Sequence, residues 1–243
     1  MTTNLNETTL SDADFAKRVR RNQKSLGANL STQYDFIVCG SGSSGSVVAR
    51  RLAENASVSV LLEAGGSDDV PEVMRADQWP ANVGSERDWN FAAQPNQHLN
   101  GRSIPYSMGK VLGGGSSVNV MAWARGHKND WDFFASAAGD KAWSYESVRN
   151  IYRRIDDWHG VPDPDFRGTG GPVYVVPAPD PSPIAPAALE GARSVGIPTF
   201  ESQNGRMMEG EGGASILSKC EPAADTANPY SAPMCSPIWT DPT

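Results

Sequence analysis

The sequence is poor in the residues that define several broad protein classes. Cysteine appears three times in 243 residues, at Cys39, Cys220 and Cys235, an odd count at spacings that suggest neither a disulfide framework nor a zinc site. No apolar run approaches the roughly 20 residues of a membrane-spanning helix. The opening MTTNLNETTLSDADFAKRVRRN lacks the apolar centre of a secretory signal. Basic residues cluster only at Lys17-Arg18-Val19-Arg20-Arg21, which reads as a solvated helix face, and the net charge of −7 argues against wrapping nucleic acid. The expectation is a cytoplasmic, soluble protein with no membrane span and no nucleic-acid partner.

The hydrophobic fraction of 39% is enough for an ordinary packed core, and the length suits one large domain or two small ones. The most ordered stretch runs from 34 to 63. Tyr34 to Cys39 is a short apolar run that predicts a buried strand. A glycine cluster follows at once, with Gly40, Gly42 and Gly45 spaced as G-x-G-x-x-G. Ser43 to Asn55 then has helical spacing. Val47, Val48, Leu52 and Ala53 are expected on the packed face, with Arg50, Arg51 and Glu54 in solvent. Ser57 to Leu62 predicts a second strand, parallel to the first because a helix crosses between them.

This order of elements suits a pyrophosphate. A strand running into a helix aims the helix's unpaired amides and the positive end of its dipole at one point. Gly40 serves the tight turn, Gly42 leaves room for phosphates against backbone, and Gly45 lets helix and strand approach. Glu63, at the end of the second strand, lies 18 positions beyond Gly45, close to the place of an acid that accepts ribose hydroxyls. A carboxylate there would repel a 2′-phosphate, which disfavours a phosphorylated nicotinamide cofactor. NAD and FAD both remain possible on these residues. A second glycine cluster, Gly113-Gly114-Gly115 followed by Ser116, Ser117 and Asn119, favours a large cofactor held at two places. Gly109-Lys110 is no triphosphate loop, since Val111 stands where Ser or Thr must hold magnesium.

Elsewhere, Ser11 is expected to cap a short helix through Arg21. Residues 67–108 are polar with little periodicity. Helices are predicted over 130–137, over 144–155 with Ser144 as cap, and over 184–195. A strand is predicted over 172–177 and a turn-rich loop over 157–171. The tail from Lys219 carries Pro222, Pro229, Pro233, Pro237 and Pro242 and is expected to be irregular.

Three segments resemble the glucose-methanol-choline (GMC) oxidoreductases, FAD enzymes that oxidise alcohols. DFIVCGSGSSGSVVARRLAE with LLEAGG resembles their amino-terminal FAD fingerprint. GKVLGGGSSVNVMAWARG, running on to Asp132, resembles their first signature. AWSYESVRNIYRR and RGTGGPVYVVP resemble the approach to their substrate-binding domain. The resemblance implies an α/β fold: a Rossmann-like FAD-binding domain, incomplete here, followed by the start of an α+β substrate-binding domain. The implied domains are an appendage over 1–33, FAD-binding residues over 34–155, the start of the substrate domain over 156–218, and an irregular tail over 219–243. Carried onto this sequence, Gly40, Gly42, Ser43, Ser44 and Gly45 would meet the pyrophosphate. Glu63, with Ala64 beside it, would hold the adenosine ribose. Val111, Gly114, Ser116 and Asn119 would line the flavin side, and Val120 and Ala122 would approach the ring through backbone. Core packing is the simpler reading of Val111, Val120 and Ala122.

Where some family members carry the histidine that bonds FAD covalently, this chain has Val118, so a non-covalent flavin is implied. The family's catalytic histidine lies near the end of a chain about twice as long, and none of His98, His127 and His159 matches it. No catalytic residue is assigned. The likeness fades near Leu217; a truncation with an unrelated tail and a shifted reading frame both fit, and the second is favoured because the composition changes abruptly after an intact match. The implied activity of the full form is hydride transfer from an alcohol CH–OH group to FAD, with oxygen or another acceptor reoxidising it. The chain alone is expected to be poorly soluble and inactive. The alternative is a non-catalytic nucleotide-binding module, or a subunit that needs a partner chain.

Overall fold

The computed structural model describes residues 12–54, 59–178, 181–212 and 215–217. The cap expected at Ser11 and the Pro-rich tail from Lys219 lie outside the described residues. The chain divides into two compact units. Among the described residues, one holds 12–74 with 78–118 and the other 75–77 with 119–217.

The first unit opens with α1 (Asp12–Ala28), which runs past the expected end at Arg21 because no proline or turn residue intervenes before Gly27. Asn29 closes it, its amide side chain donating to Ser25 O at 2.9 Å. Then come β1 (Phe36–Cys39), α2 (Ser43–Ala53) and β2 (Ser59–Leu62). β1 and β2 pair in parallel, Phe36 opposite Ser59 and Cys39 opposite Leu62.

The packed face of α2 differs from the expected one. It buries Ser46 and Ala49, while Val47 and Val48 are about half exposed. The cause is the closeness of the crossover. A Cβ on Gly45 would stand 1.9 Å from Gly40 O and 3.6 Å from a Val38 methyl, so only small side chains fit beneath the helix. The strand pair is thinly covered, with Phe36, Ile37 and Leu62 all exposed. Parallel strands usually carry cover on both faces.

Residues 64–118 contain α3 (Pro71–Met74), a 3₁₀ segment over Ala76–Asn82, the antiparallel pair β3 (Phe91–Ala92) and β4 (Pro105–Tyr106), and the single turn α4 (Gly115–Val118). This stretch lacks periodicity because buried polar side chains hold it in place of an apolar stripe. Asn82 donates to Glu72 O at 2.6 Å and accepts from Arg87 Nε at 2.7 Å. Asp88 accepts from the amides of Gly84, Asn90 and Met108, each at 3.0 Å. Those bonds, with Gly84 first, hold its carboxyl down at about 2.

The second unit holds α5 (Lys128–Ala138), α6 (Tyr145–Ile155), β5 (Asp156–Trp158), β6 (Val173–Pro177), α7 (Ile184–Ser194), β7 (Thr199–Phe200), β8 (Glu211–Gly212) and β9 (Ser215–Leu217). β6 lies between β5, parallel to it, and β9, antiparallel. Ser144 caps α6 by accepting from Ser147 N. Residues 157 and 158, expected in a loop, belong to β5. Acidic residues stand in this strand because each carboxylate is matched: Asp156 pairs with Arg167, and Asp157 accepts from Gly170 N at 2.6 Å and meets His159. Val175, Val148, Met121 and Tyr145 are buried apolar and aromatic residues of this unit.

Candidate cofactor-binding site

The β1–α2 turn is shaped as the glycine spacing requires. Gly40 has φ +91°, a conformation that L side chains rarely adopt, and its amide donates to Leu62 O at 2.7 Å. Gly42 is the N-cap of α2, in an extended conformation, with no side-chain cap and no acidic residue in the first turn. The leading amides of α2, at Ser43, Ser44 and Gly45, therefore have no helical partner, and they stand at the positive end of the helix dipole. A Cβ at Gly42 would meet nothing within 4 Å. The result is an open cradle of donors that fits a diphosphate.

The second glycine cluster lies against this turn. Gly66 bridges to Val111 in parallel, and Leu112 N donates to Gly66 O at 2.9 Å. A Cβ on Gly114 would stand 3.0 Å from Gly42 Cα. One on Gly65 would overlap the Lys110 carbonyl. Segments 63–66 and 110–114 are thus threaded side by side, at a distance only glycine permits. Val111 is fully buried, so it packs as core; Gly114 is buried and Ser116 donates to Gly113 O at 2.6 Å.

Glu63 is held firmly. Its Oε2 accepts from the Ser41 amide at 2.8 Å and the Ser41 hydroxyl at 2.6 Å, and its Oε1 accepts from Gly65 N at 2.8 Å. A carboxylate offers about four acceptor positions. Both Ser41 donors fall on Oε2, and Gly65 N falls on Oε1. Partial burial pushes the carboxyl up, but the bonds from Ser41, Gly65 and Ala64 outweigh it, and the group sits below its ordinary value. Ser41 is the residue that sequence reasoning missed. The G-x-G spacing constrains its neighbours and leaves its own position free, so only its hydroxyl marked it.

The sequence pattern of the family described as GMC oxidoreductase matches residues 34–230. The chain belongs to the GMC oxidoreductase family. Among curated GMC-like relatives, the oxygen-dependent choline dehydrogenase of Sinorhizobium medicae is 39% identical over 183 residues, 74% of this chain and 33% of that protein. The Brucella suis protein of the same name is 37% identical over 181 residues, 73% of this chain and 32% of its own. Among solved structures, pyridoxine 4-oxidase from Mesorbium loti superposes with a TM-score of 0.69 at 31% identity, over 76% of this chain and 36% of that one. Formate oxidase superposes with a TM-score of 0.66 at 28% identity, over 75% and 34%. The chain spans about a third of the length of the curated relatives it matches.

The remaining residues of the family signature fall in the second unit. Asn119, Val120 and Ala122 are exposed there, and Asn119 Oδ1 accepts from Met121 N at 2.9 Å, steadying a residue at φ +61°. Asp132, which ends the signature, pairs with Lys128 and accepts from Tyr145 N, joining α5 to the start of α6. Trp143 is 45% exposed, whereas Tyr145 is buried. The histidines have local partners or stand in solvent. His127 caps α5 through Nδ1 and meets Glu209, His159 meets Asp157 and lies against the Tyr174 ring, and the His98 side chain is exposed. Among the described residues no three metal-binding side chains cluster, and no helix is long and apolar enough to cross a membrane.

Proposed function

We propose that this chain binds FAD and forms the nucleotide-binding part of an oxidoreductase that acts on the CH–OH group of an alcohol. The observation that carries this reading is the open α2 cradle with the second glycine segment laid against it, so close that a Cβ added to Gly114 would stand 3.0 Å from Gly42 Cα. One glycine turn would suit any dinucleotide; two turns in contact suit an extended one. Family membership supports the same reading.

In this proposal Gly40, Gly42, Ser43, Ser44 and Gly45 bind the pyrophosphate, and Glu63 with Ala64 holds the adenosine ribose. Val111, Gly114 and Ser116 support the segment that follows the cofactor, and Asn119, Val120 and Ala122 line its flavin end. Residues 34–155 form the flavin-binding portion, and the substrate-binding portion begins at 156. When bound, FAD supplies an acceptor for the hydride of the alcohol carbon. The amides of Ser43, Ser44 and Gly45 neutralise the diphosphate charge, and the ionised Glu63 accepts from a ribose hydroxyl and disfavours a 2′-phosphate. Val118 offers no nucleophile, so the flavin is held without a covalent bond.

Purified chain mixed with FAD and passed through a desalting column tests this. A flavin absorbance band that elutes with the protein, and appears in the filtrate after denaturation, is expected. A colourless protein fraction would contradict FAD binding, and colour that stays with the denatured chain would contradict non-covalent attachment.

A further inference from the structure

Ser41 sits between two glycines, where the turn demands only a small side chain. Alanine would satisfy that demand, so the hydroxyl answers to something else. Ser41 is 1% exposed. Its hydroxyl donates to Glu63 Oε2 at 2.6 Å and accepts from Gly113 N at 2.9 Å. Its backbone completes the arrangement, the amide donating to the same Glu63 oxygen at 2.8 Å and the carbonyl accepting from Ser46 Oγ at 2.7 Å. One buried oxygen therefore ties together the β1–α2 turn, the acid ending β2 and the second glycine segment, 72 positions further along the chain.

We infer that Ser41 is a positioning residue for the cofactor: its hydroxyl fixes Glu63 through Oε2, so that the carboxylate is presented to the adenosine ribose in one orientation, and holds Gly113 so that the second glycine segment lies against the first. The inference rests on the reading of this turn as an FAD site. The physical ground is the acceptor count. With Oε2 saturated by the two Ser41 donors, the carboxylate cannot rotate without breaking two hydrogen bonds, one of them short and charge-assisted. Without the hydroxyl, Gly113 N loses its acceptor and Glu63 loses its shortest bond, so the carboxylate is held less tightly, by the Ser41 and Gly65 amides, and ribose binding must supply the lost order. The lowered carboxyl of Glu63 agrees, since the Ser41 hydroxyl is the foremost of the bonds favouring its ionised form.

The test is calorimetric titration of the full chain with FAD, ADP and 2′-deoxy-ADP, using wild type, Ser41→Ala, Glu63→Gln and the double variant. Wild type should prefer ADP over 2′-deoxy-ADP by about tenfold, the scale of one hydrogen bond to a charged group. Ser41→Ala should weaken FAD by about tenfold and cut the ribose preference to about twofold or less. On the Glu63→Gln background the same change should cost about threefold or less, because both residues act through one contact. A Ser41→Ala protein that keeps the wild-type ribose preference overturns the inference, even if its melting temperature falls, since that is the signature of a purely structural role. Should Ser41→Ala fail to fold, Ser41→Cys, a small and weak donor, is read by the same ratios. If wild type binds neither FAD nor ADP, the FAD reading of the turn fails and the inference with it. If wild type binds and the variant is unchanged, the inference alone fails.

Discussion

The two units are ordered by different means. In the first, the apolar contribution is thin: Phe36, Ile37 and Leu62 of the paired strands stand open, and so do Val47 and Val48 of α2. Its precision comes from glycines at contact distance and from polar side chains bonded to backbone: Glu63 accepts from two amides and Asp88 from three, Ser41 accepts from Gly113 N, and Asn82 donates to the Glu72 carbonyl. The second unit buries Val175 and Val148, and also the charged side chains of Arg125, Asp156 and Arg167. There Arg167 pairs with Asp156 at 2.9 Å and lies over the Trp158 ring, while Arg125 reaches the carbonyls of Phe166 and Asn204. The difference teaches where each is vulnerable. A unit ordered by close backbone approach is broken by adding atoms. One ordered by buried charge is broken by removing them.

The largest expected effect therefore lies in the second unit. Asp156→Ala leaves Arg167 buried without its partner, and should destabilise the protein by about 3–5 kcal/mol in chemical denaturation. A midpoint unchanged within error would mean that the pair is not buried in solution. Next is Gly45→Ala, which adds a Cβ 1.9 Å from Gly40 O. The backbone must move, at about 1–3 kcal/mol of stability, and FAD affinity should drop by about a hundredfold, or 2.7 kcal/mol. The comparison sharpens if Gly45→Ala harms cofactor binding more than stability, and breaks if it harms neither. A smaller effect is expected from Trp131→Phe, which deletes the bond from Nε1 to Arg125 O at 2.8 Å; the loss should be about 1 kcal/mol by the same denaturation.

Acid provides a graded test of the first unit. Asp88 is held at about 2, below the value of an unfolded aspartate near 3.9. Its contribution is therefore present above that unfolded value and is lost as pH falls from about 4 towards 2. Protection of the Gly84, Asn90 and Met108 amides, taken relative to their intrinsic exchange rates, should fall over that window, and Asp88→Asn should remove this pH dependence. Protection that is constant down to pH 2 in the wild type would contradict the clamp. The smallest effect should be that of Val47→Thr, within about 0.5 kcal/mol, because the side chain is 52% exposed. A larger loss would show that this face of α2 is covered in solution.

Much of the first unit's frame was legible in the sequence, because strand, glycine turn, helix and second strand each leave a local signature. The parallel direction of β1 and β2 follows from the crossover alone. The packed face of α2 did not, because the hydrophobic pattern points to Val47 and Val48, whereas clearance under the helix selects Ser46 and Ala49. Ser41 was illegible for a related reason: its partners Glu63 and Gly113 are distant in the chain, and a lone serine in a glycine turn carries no pattern. In the second unit the periodic helices over 128–138 and 145–155 were readable to within two residues. β5 was not, since Asp156 and Asp157 read as loop until Arg167 and Gly170 are seen to answer them.

The central claim is that the β1–α2 cradle and Glu63 grip the adenosine diphosphate half of FAD. Calorimetric titration of the chain with FAD and with FMN, which lacks the adenosine and one of the two phosphates, tests it most directly. FAD should bind at least about a hundredfold more tightly than FMN, a gap of 2.7 kcal/mol or more. Equal heats and affinities for the two flavins, or no heat with FAD, would contradict it.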